Sequence, residues 1–407
     1  MKKSRFLALV IAIAMVLSLL AGCSGSKQAE TTTTEPAATS AEVVAEESST
    51  EAVTETETTT EEETTYTKRA DDESFTITDM GGREVTFDHA ISKAYAANPM
   101  GIVLIETMDW DLLGGYSSAL SDQQKKFIPE EYWDLPNLGA WSTATPTANI
   151  EELVNAGIDV ILVTQVMSEK VTQLAENIQS QTGIPTVLIS TELDDIADSY
   201  TLLGELFNDQ ERGDELSEYV ATELAELKEC AANIPEDDKK TIFYSEGADG
   251  LETDPSGSFH TETFDFLGLI NVADVAENTS NGFVGQTACS LEQVISWNPD
   301  YIIRNFSGTG SSENVKVADI LADENWQGIA AVQAGQVYQT PALPYNWIDR
   351  PPSMIRILGI KWLGNLLYPE QFDYDIKEEA KEFFSFTMNI ELTDEQLDNI
   401  LANSIAK

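Results

Sequence analysis

DDIADSYTLLGELFNDQERGDELSEYVATELAELKECAAN, residues 194–233, decides the architecture of this chain. It offers no strand candidate and hardly a helix breaker apart from Gly204 and Gly213. Ile196, Tyr200, Leu203, Leu206, Leu216, Val220, Leu224 and Leu227 recur at the spacing of one apolar helix face. The segment reads as one long helix, or two nearly collinear ones, ended by Pro235 and longer than ordinary connections. On its N-terminal side strand and helix alternate. Phe75-Thr76-Ile77-Thr78 and Glu84-Val85-Thr86-Phe87 flank Met80-Gly81-Gly82 as an entry hairpin. Apolar strands follow at 94–97, 160–163 and 186–189, with helices at 150–156 and 168–181 closing near Gly157 and Gly183. A second series opens at Thr241-Ile242-Phe243-Tyr244 and runs through 264–268, 292–296 and 301–303, before helical stretches at 353–368, 377–386 and 393–405. Such βαβ order favours parallel sheets wrapped by helices. The expected fold is α/β: two Rossmann-like lobes with short parallel sheets, residues 74–193 and 235–407, joined by a linker helix over 194–234, with a ligand cleft between them.

The N-terminus is an address. Lys2, Lys3 and Arg5 precede an apolar run from Phe6 to Leu20, too short to span a membrane, and then Leu20-Ala21-Gly22-Cys23. That tetrapeptide resembles the lipobox of bacterial lipoproteins, which implies removal of residues 1–22 and lipidation and acylation of Cys23. Two or more acyl chains give stable anchoring. Residues 23–73 then collapse to Thr, Glu, Ala and Ser, a composition unable to offset its ordering entropy. As a flexible coil such a tether spans roughly 40 Å.

Charge and scarce residues exclude whole classes. With 23 basic against 70 acidic side chains and a formal charge of −47, the chain lacks the basic surface that nucleic acid requires. Two histidines and three cysteines leave no zinc-finger or iron–sulfur framework. No His-Glu-x-x-His, Gly-x-Ser-x-Gly or phosphate-cradling loop with Lys occurs. Cys230 and Cys289 remain after lipidation, and sequence does not give their separation, so a disulfide between them stays open.

Five stretches in order resemble the substrate-binding lipoproteins of bacterial ABC importers, in the periplasmic-binding-protein class whose lobes are joined by one long helix. They are Asn149-Ile150-Glu151-Glu152-Leu153 leading to Ile158-Asp159-Val160-Ile161, and its echo Ser290-Leu291-Glu292-Gln293-Val294 leading to Asn298-Pro299-Asp300-Tyr301-Ile302. The others are 268–273, 330–338, and Trp347-Ile348-Asp349-Arg350-Pro351-Pro352-Ser353 running into 362–370. The resemblance covers roughly Phe75 to Ile405. It implies an importer role serving ferric siderophores, haem, cobalamin or some metal and oxyanion ligands, with no cofactor and no resident metal. It further implies a monomer held at the extracytoplasmic face of the cell membrane, working with a permease and its ATPase. Asn149 and Ser290 are good N-caps, each followed two residues on by a glutamate that the helix dipole favours. The resemblance adds a second role: Glu151 and Glu292, one per lobe, pair with arginines of the permease.

Ligands of open parallel sheets bind beyond the carboxyl ends of strands. Those ends carry Asn98-Pro99-Met100, Gln165-Val166-Met167, Ser245-Glu246 after Tyr244, and Arg304-Asn305-Phe306; the loop Gly139-Ala140-Trp141-Ser142 lies nearby. Candidate ligand residues are Trp141, Met167, Tyr244, His260, Arg304, Tyr345, Trp347 and Arg350. Arg304 and Arg350 suit an anionic group, Tyr345 and Trp347 supply flat faces for a chelate, and His260 adds a donor. Plainer readings stand beside these: Trp141 folded onto the core, His260 as a satisfied loop residue, Arg350 paired with Asp349 or another acid, Trp362 in the core. A binding protein for a ferric siderophore or related metal chelate is the leading expectation, with a molybdate-like oxyanion, haem or cobalamin behind it. An anchored enzyme and a surface adhesin are remote alternatives.

Overall fold

In a computed structural model, residues 66–141, 146–278, 286–305 and 315–406 are described. The signal segment, the lipobox Cys23 and the tether up to residue 65 lie outside them, as do Ser142 and Phe306. All described residues belong to one compact unit. Residues ahead of Phe75 are also fastened to it. Arg69 donates its backbone N–H to Asn208 Oδ1 at 2.7 Å, and its guanidinium lies 3.8 Å from the Phe75 ring centre.

An antiparallel hairpin of β1 (Phe75–Thr78) and β2 (Glu84–Phe87) opens the fold. The first lobe then interleaves β3 (Ala94–Ala96), α1 (Pro99–Met108), α2 (Ile150–Asn155), β4 (Val160–Thr164), α3 (Glu169–Thr182) and β5 (Thr186–Ile189). Its three strands pair in parallel, in the order β3-β4-β5. Asn98, Asn149 and Ser168 each accept a backbone N–H in the first turn of their helices, as expected for Asn149, and Gly183 closes α3 in the left-handed region where expected.

The strandless segment departs from the expectation of one helix or two collinear ones. It forms α4 (Ile196–Phe207) and α5 (Gln210–Ala232), folded back on each other. Asn208, at φ 59°, turns the chain, and Thr201 Oγ1 meets Ser217 Oγ at 3.1 Å across the pair. The two glycines are the contact surface rather than breakers. A Cβ on Gly213 would lie 2.6 Å from Gly204 Cα and 2.7 Å from the Tyr200 carbonyl oxygen. Only α5, with 23 residues, keeps the role of the long linker, at about 1.5 Å per residue.

The second lobe runs β6 (Thr241–Ser245), β7 (Glu252–Thr253), α6 (Glu262–Phe266), β8 (Ile270–Asn271), β9 (Thr287–Ala288), α7 (Leu291–Trp297), β10 (Tyr301–Arg304), α8 (Val317–Ala322), α9 (Ala330–Ala334) and β11 (Val337–Gln339). Its parallel sheet has the order β11-β10-β6-β8. Three helices close the chain: α10 (Arg356–Leu367), α11 (Ile376–Met388) and α12 (Asp394–Ile400).

Strand alternation sorts the core. In β4, Val160 and Leu162 face the layer containing α1, α4 and α5, while Ile161 and Val163 pack with Leu153, Ala175 and Ile178. In β6, Ile242 and Tyr244 turn inward and Phe243 joins Val294, Ile320 and Trp326 on the other side. The inward faces of both sheets share one apolar cluster with α10 and α11, so the core is continuous across the seam between lobes. Trp362, expected in the core, is there, with its indole N–H on the Ser404 carbonyl. Cys230 and Cys289 are both free thiols.

Because the α4–α5 contact leaves no room for a side chain, Gly213→Val should force the hairpin apart and cost at least about 1–3 kcal/mol, the usual range for overpacking. Urea unfolding of the soluble domain checks this; an unchanged midpoint would remove the glycine pair from the account.

Candidate functional site

A cavity of about 430 Å³ opens between the lobes at the sheet ends. Pro99, Ile102, Tyr116 and the 118–120 segment line it from one side, and Pro344, Tyr345, Asn346 and Arg350 from the other. A second cavity, about 660 Å³, lies beside it, around Lys126, Lys316 and α12. Both take walls from the two lobes; we place the site in the smaller one, because it sits at the N-terminus of α1 and is lined by the buried polar residues Tyr116, Tyr345 and Asn346.

Behind the lining residue Tyr345 lies Glu106. It lies on α1 in the otherwise apolar run Gly101-Ile102-Val103-Leu104-Ile105, and it is only 2% exposed. Tyr345 reaches over from the second lobe, its hydroxyl 2.8 Å from both Oε1 and Oε2. Burial pushes the Glu106 carboxyl up to about 8, although the tyrosine bond pulls the other way. The buried Tyr116 hydroxyl, facing the same cavity wall, has no hydrogen-bond partner within the protein. Two phenols, Tyr116 and Tyr345, thus form the cavity floor, and behind Tyr345 stands a buried carboxyl whose pKa lies near 8.

Beside it lies a charged cluster. Arg350, in the left-handed region at φ 57°, donates Nε to Glu246 Oε1 at 2.9 Å and Nη2 to Asp254 Oδ2 at 2.7 Å. Its Nε is also 3.3 Å from Asp349 Oδ2. His260 Nδ1 is 2.7 Å from Asp349 Oδ1. Burial pulls the imidazole pKa down, but the Asp349 carboxylate more than reverses this, and its net shift is upward. Burial alone would raise Asp349, yet His260 and Arg350 hold it below the ordinary carboxylate range. Asp254 is pushed up to about 7, first by burial and then by its hydrogen bond and charge contact with Glu246. Glu246 Oε1 also accepts from Asn305 Nδ2 and Gln286 Nε2. Three carboxyl groups therefore surround one guanidinium, and no anion-binding charge is left over.

Of the sequence candidates, Tyr345 and Arg350 line the cavity, and His260 sits behind Arg350. The pairing of Arg350 with acids is the plainer of its two readings. Arg304 departs from the expected anion contact. It is 3% exposed, and its guanidinium donates to the carbonyls of Ser245, Asn305, Val315 and Gly247, tying the end of β10 to its neighbours. Trp347 is fully buried against Phe384, with its indole N–H on Leu343 O, and offers no face to a ligand. Tyr244 points into the core by strand alternation and meets Phe264 edge-on at 4.9 Å. Trp141 and Met167 are half-buried on the first-lobe cluster; the Trp141 backbone N–H donates to Ala97 O at 2.7 Å. Glu151 and Glu292 are exposed in the first turns of α2 and α7. Sequence reading placed Glu246 at a strand end facing the cleft but missed Glu106, Tyr116 and Asp254; the lone acid inside an apolar helix run was the signal for Glu106. Among the described residues no cluster of His, Cys, Asp and Glu is arranged to hold a metal ion, and no helix is long and apolar enough to cross a membrane.

A family model described as periplasmic binding protein matches residues 107–343. The uncharacterized ABC transporter substrate-binding lipoprotein YvrC of Bacillus subtilis (strain 168) is 22% identical over 227 residues, spanning 55% of this chain and 66% of its own length. An ABC transporter solute binding protein from Sulfurospirillum deleyianum DSM 6946 superimposes with a TM-score of 0.70 at 28% identity, covering 80% of this chain and 99% of that one. The molybdate periplasmic binding protein MolA of Haemophilus influenzae, solved with molybdate bound, gives a TM-score of 0.63 at 22% identity, covering 78% and 99%. At that identity the likeness to MolA is one of fold.

Glu106 binds more protons folded than unfolded between its ordinary value of 4.5 and about 8. Its contribution to stability is therefore complete below 4.5 and falls as pH rises, by at most about 1.4 kcal/mol per pH unit. Glu106→Gln should flatten the decline of stability between pH 5 and 8 relative to the parent, read from denaturant midpoints across pH. Parallel pH profiles for the two chains would contradict a protonated Glu106.

Proposed function

The chain belongs to the periplasmic binding protein family, and on that premise we propose that it is the substrate-binding lipoprotein of an ABC importer. It captures a small metal chelate in the cleft and delivers it to a permease driven by an ATPase. Cys23 carries the lipid anchor, and the Thr/Glu-rich tether holds the binding domain off the extracytoplasmic membrane face. The lipoprotein named in Bacillus subtilis supports this reading.

The observation that carries the ligand class is the cavity itself. Its volume of about 430 Å³ lies in the range of sites for small organic ligands, and a bare oxyanion would leave most of it empty. Arg304 is spent on backbone carbonyls and Arg350 on carboxylates. The cleft therefore suits a chelate with little net charge, a ferric siderophore foremost, bound through the Tyr116 and Tyr345 hydroxyls and apolar contact with Ile102 and Pro344. Molybdate, haem and cobalamin are the competing ligands.

A thermal-shift screen of the soluble domain against ferric siderophores, molybdate, haem and cobalamin tests the assignment. The true ligand at 100 times its Kd should stabilise the fold by about 2.7 kcal/mol. Stabilisation by molybdate alone would move the reading to an oxyanion. With the ligand in hand, Tyr116→Phe combined with Tyr345→Phe should weaken binding by about tenfold or more, the loss of one to two hydrogen bonds; unchanged affinity would empty the proposed floor of its role.

Glu151 and Glu292 are the proposed permease contacts. Replacing both with Ala should leave ligand affinity intact and depress uptake by cells. Equal loss of binding and uptake would refute docking as their function.

A further inference from the structure

Helices α2 and α7 match position by position. Ile150-Glu151-Glu152-Leu153-Val154 aligns with Leu291-Glu292-Gln293-Val294-Ile295. Leu153 and Val294 are both fully buried and anchor their helices to the lobe beneath. Three residues after each first glutamate stands a β-branched aliphatic side chain turned to solvent, Val154 at 52% exposure and Ile295 at 37%. These are two of only six large apolar residues that are exposed among the described residues. Positions three apart share a helix face, so each lobe presents a carboxylate and an aliphatic group side by side. Neither glutamate has an ion-pair partner among the described residues. The local fold explains Glu151 and Glu292 as favourable first-turn charges, but it gives no reason for an exposed aliphatic at the matched place on both lobes.

We propose that Val154 and Ile295 are apolar anchors of the docking surface, each seated beside its glutamate against the importer's permease. The same two-part pattern on both lobes fits a partner made of two equivalent halves, each offering a basic group next to an apolar pocket. The carboxylates steer and set register, and the aliphatic groups supply contact that excludes water around the ion pairs. This rests on the importer reading above and specifies its partner. The residue after the shared glutamate differs, Glu152 against Gln293, which distinguishes the two lobes and gives the complex a preferred orientation of two.

The test uses the full-length anchored chain in its own membranes. A photoreactive phenylalanine analogue is placed at Val154, Ile295, Glu151 or Glu292, with the exposed Val166 as control. Val154 and Ile295 should both label one and the same polytopic permease, and Val166 should not. Labelling from the glutamate positions without any from Val154 and Ile295 would overturn the anchors while leaving the importer reading standing. No permease labelled from any of the four positions would overturn both. In parallel, Val154→Asp combined with Ile295→Asp should reduce permease capture by about tenfold or more with the thermal midpoint unchanged; undiminished capture counts against the proposal.

Discussion

Three helix-terminal carbonyls converge on the guanidinium of Arg212, and the two lobes are held at that point. Its Nε and Nη2 donate to Thr107 O at the end of α1, and Nη2 also meets Phe386 O and Thr387 O at the end of α11. The last carbonyls of a helix have no partner within it, and the negative end of its dipole attracts a cation. One side chain from the start of α5 thus satisfies two helix ends, one from each half of the chain. Arg356 does similar work nearby: almost fully buried, it donates to the Thr191 carbonyl of the first lobe and pairs with Glu262 of the second. The position of α1, and with it Glu106 and the cavity floor, follows from these fastenings.

Much of this was legible because periodicity and caps are local. Strand β5 occupies the expected residues, and β3 and β4 differ from expectation by one residue at an end. The expected capping residues Asn149 and Ser290 each accept a first-turn N–H group. The hairpin of α4 and α5 was not read, since apolar periodicity continues through it and a single left-handed Asn208 reverses the chain. Its signal lay in Gly204 and Gly213, whose meaning is close helix approach rather than weakness. Site residues were harder for a plain reason. Whether an arginine or tryptophan at a strand end faces a cleft or the core depends on contacts from distant segments, and for Arg304 and Trp347 those contacts are internal. Tyr345 and Glu106 are 239 residues apart in sequence, and no local pattern announces such a pair.

The electrostatics invert the simple expectation from composition. A chain with a formal charge of −47 has few cations to spare, and its buried ones are already committed. Arg350 is ringed by Glu246, Asp254 and Asp349; Lys361 lies 2.6 Å from both Glu223 and Glu379. Buried charges of this kind persist only when paired, and removing one partner leaves the other stranded. The cleft is consequently lined by groups that have settled their charges among themselves, which is why neutral hydroxyls and apolar walls define it.

The apolar core that runs unbroken from one sheet to the other has a mechanical consequence. Prising the two sheets widely apart would uncover that shared interior at a cost of roughly 25 cal/mol for each Å² of apolar surface exposed to water, so large hinge opening is penalised and the sheets behave as mechanically coupled halves.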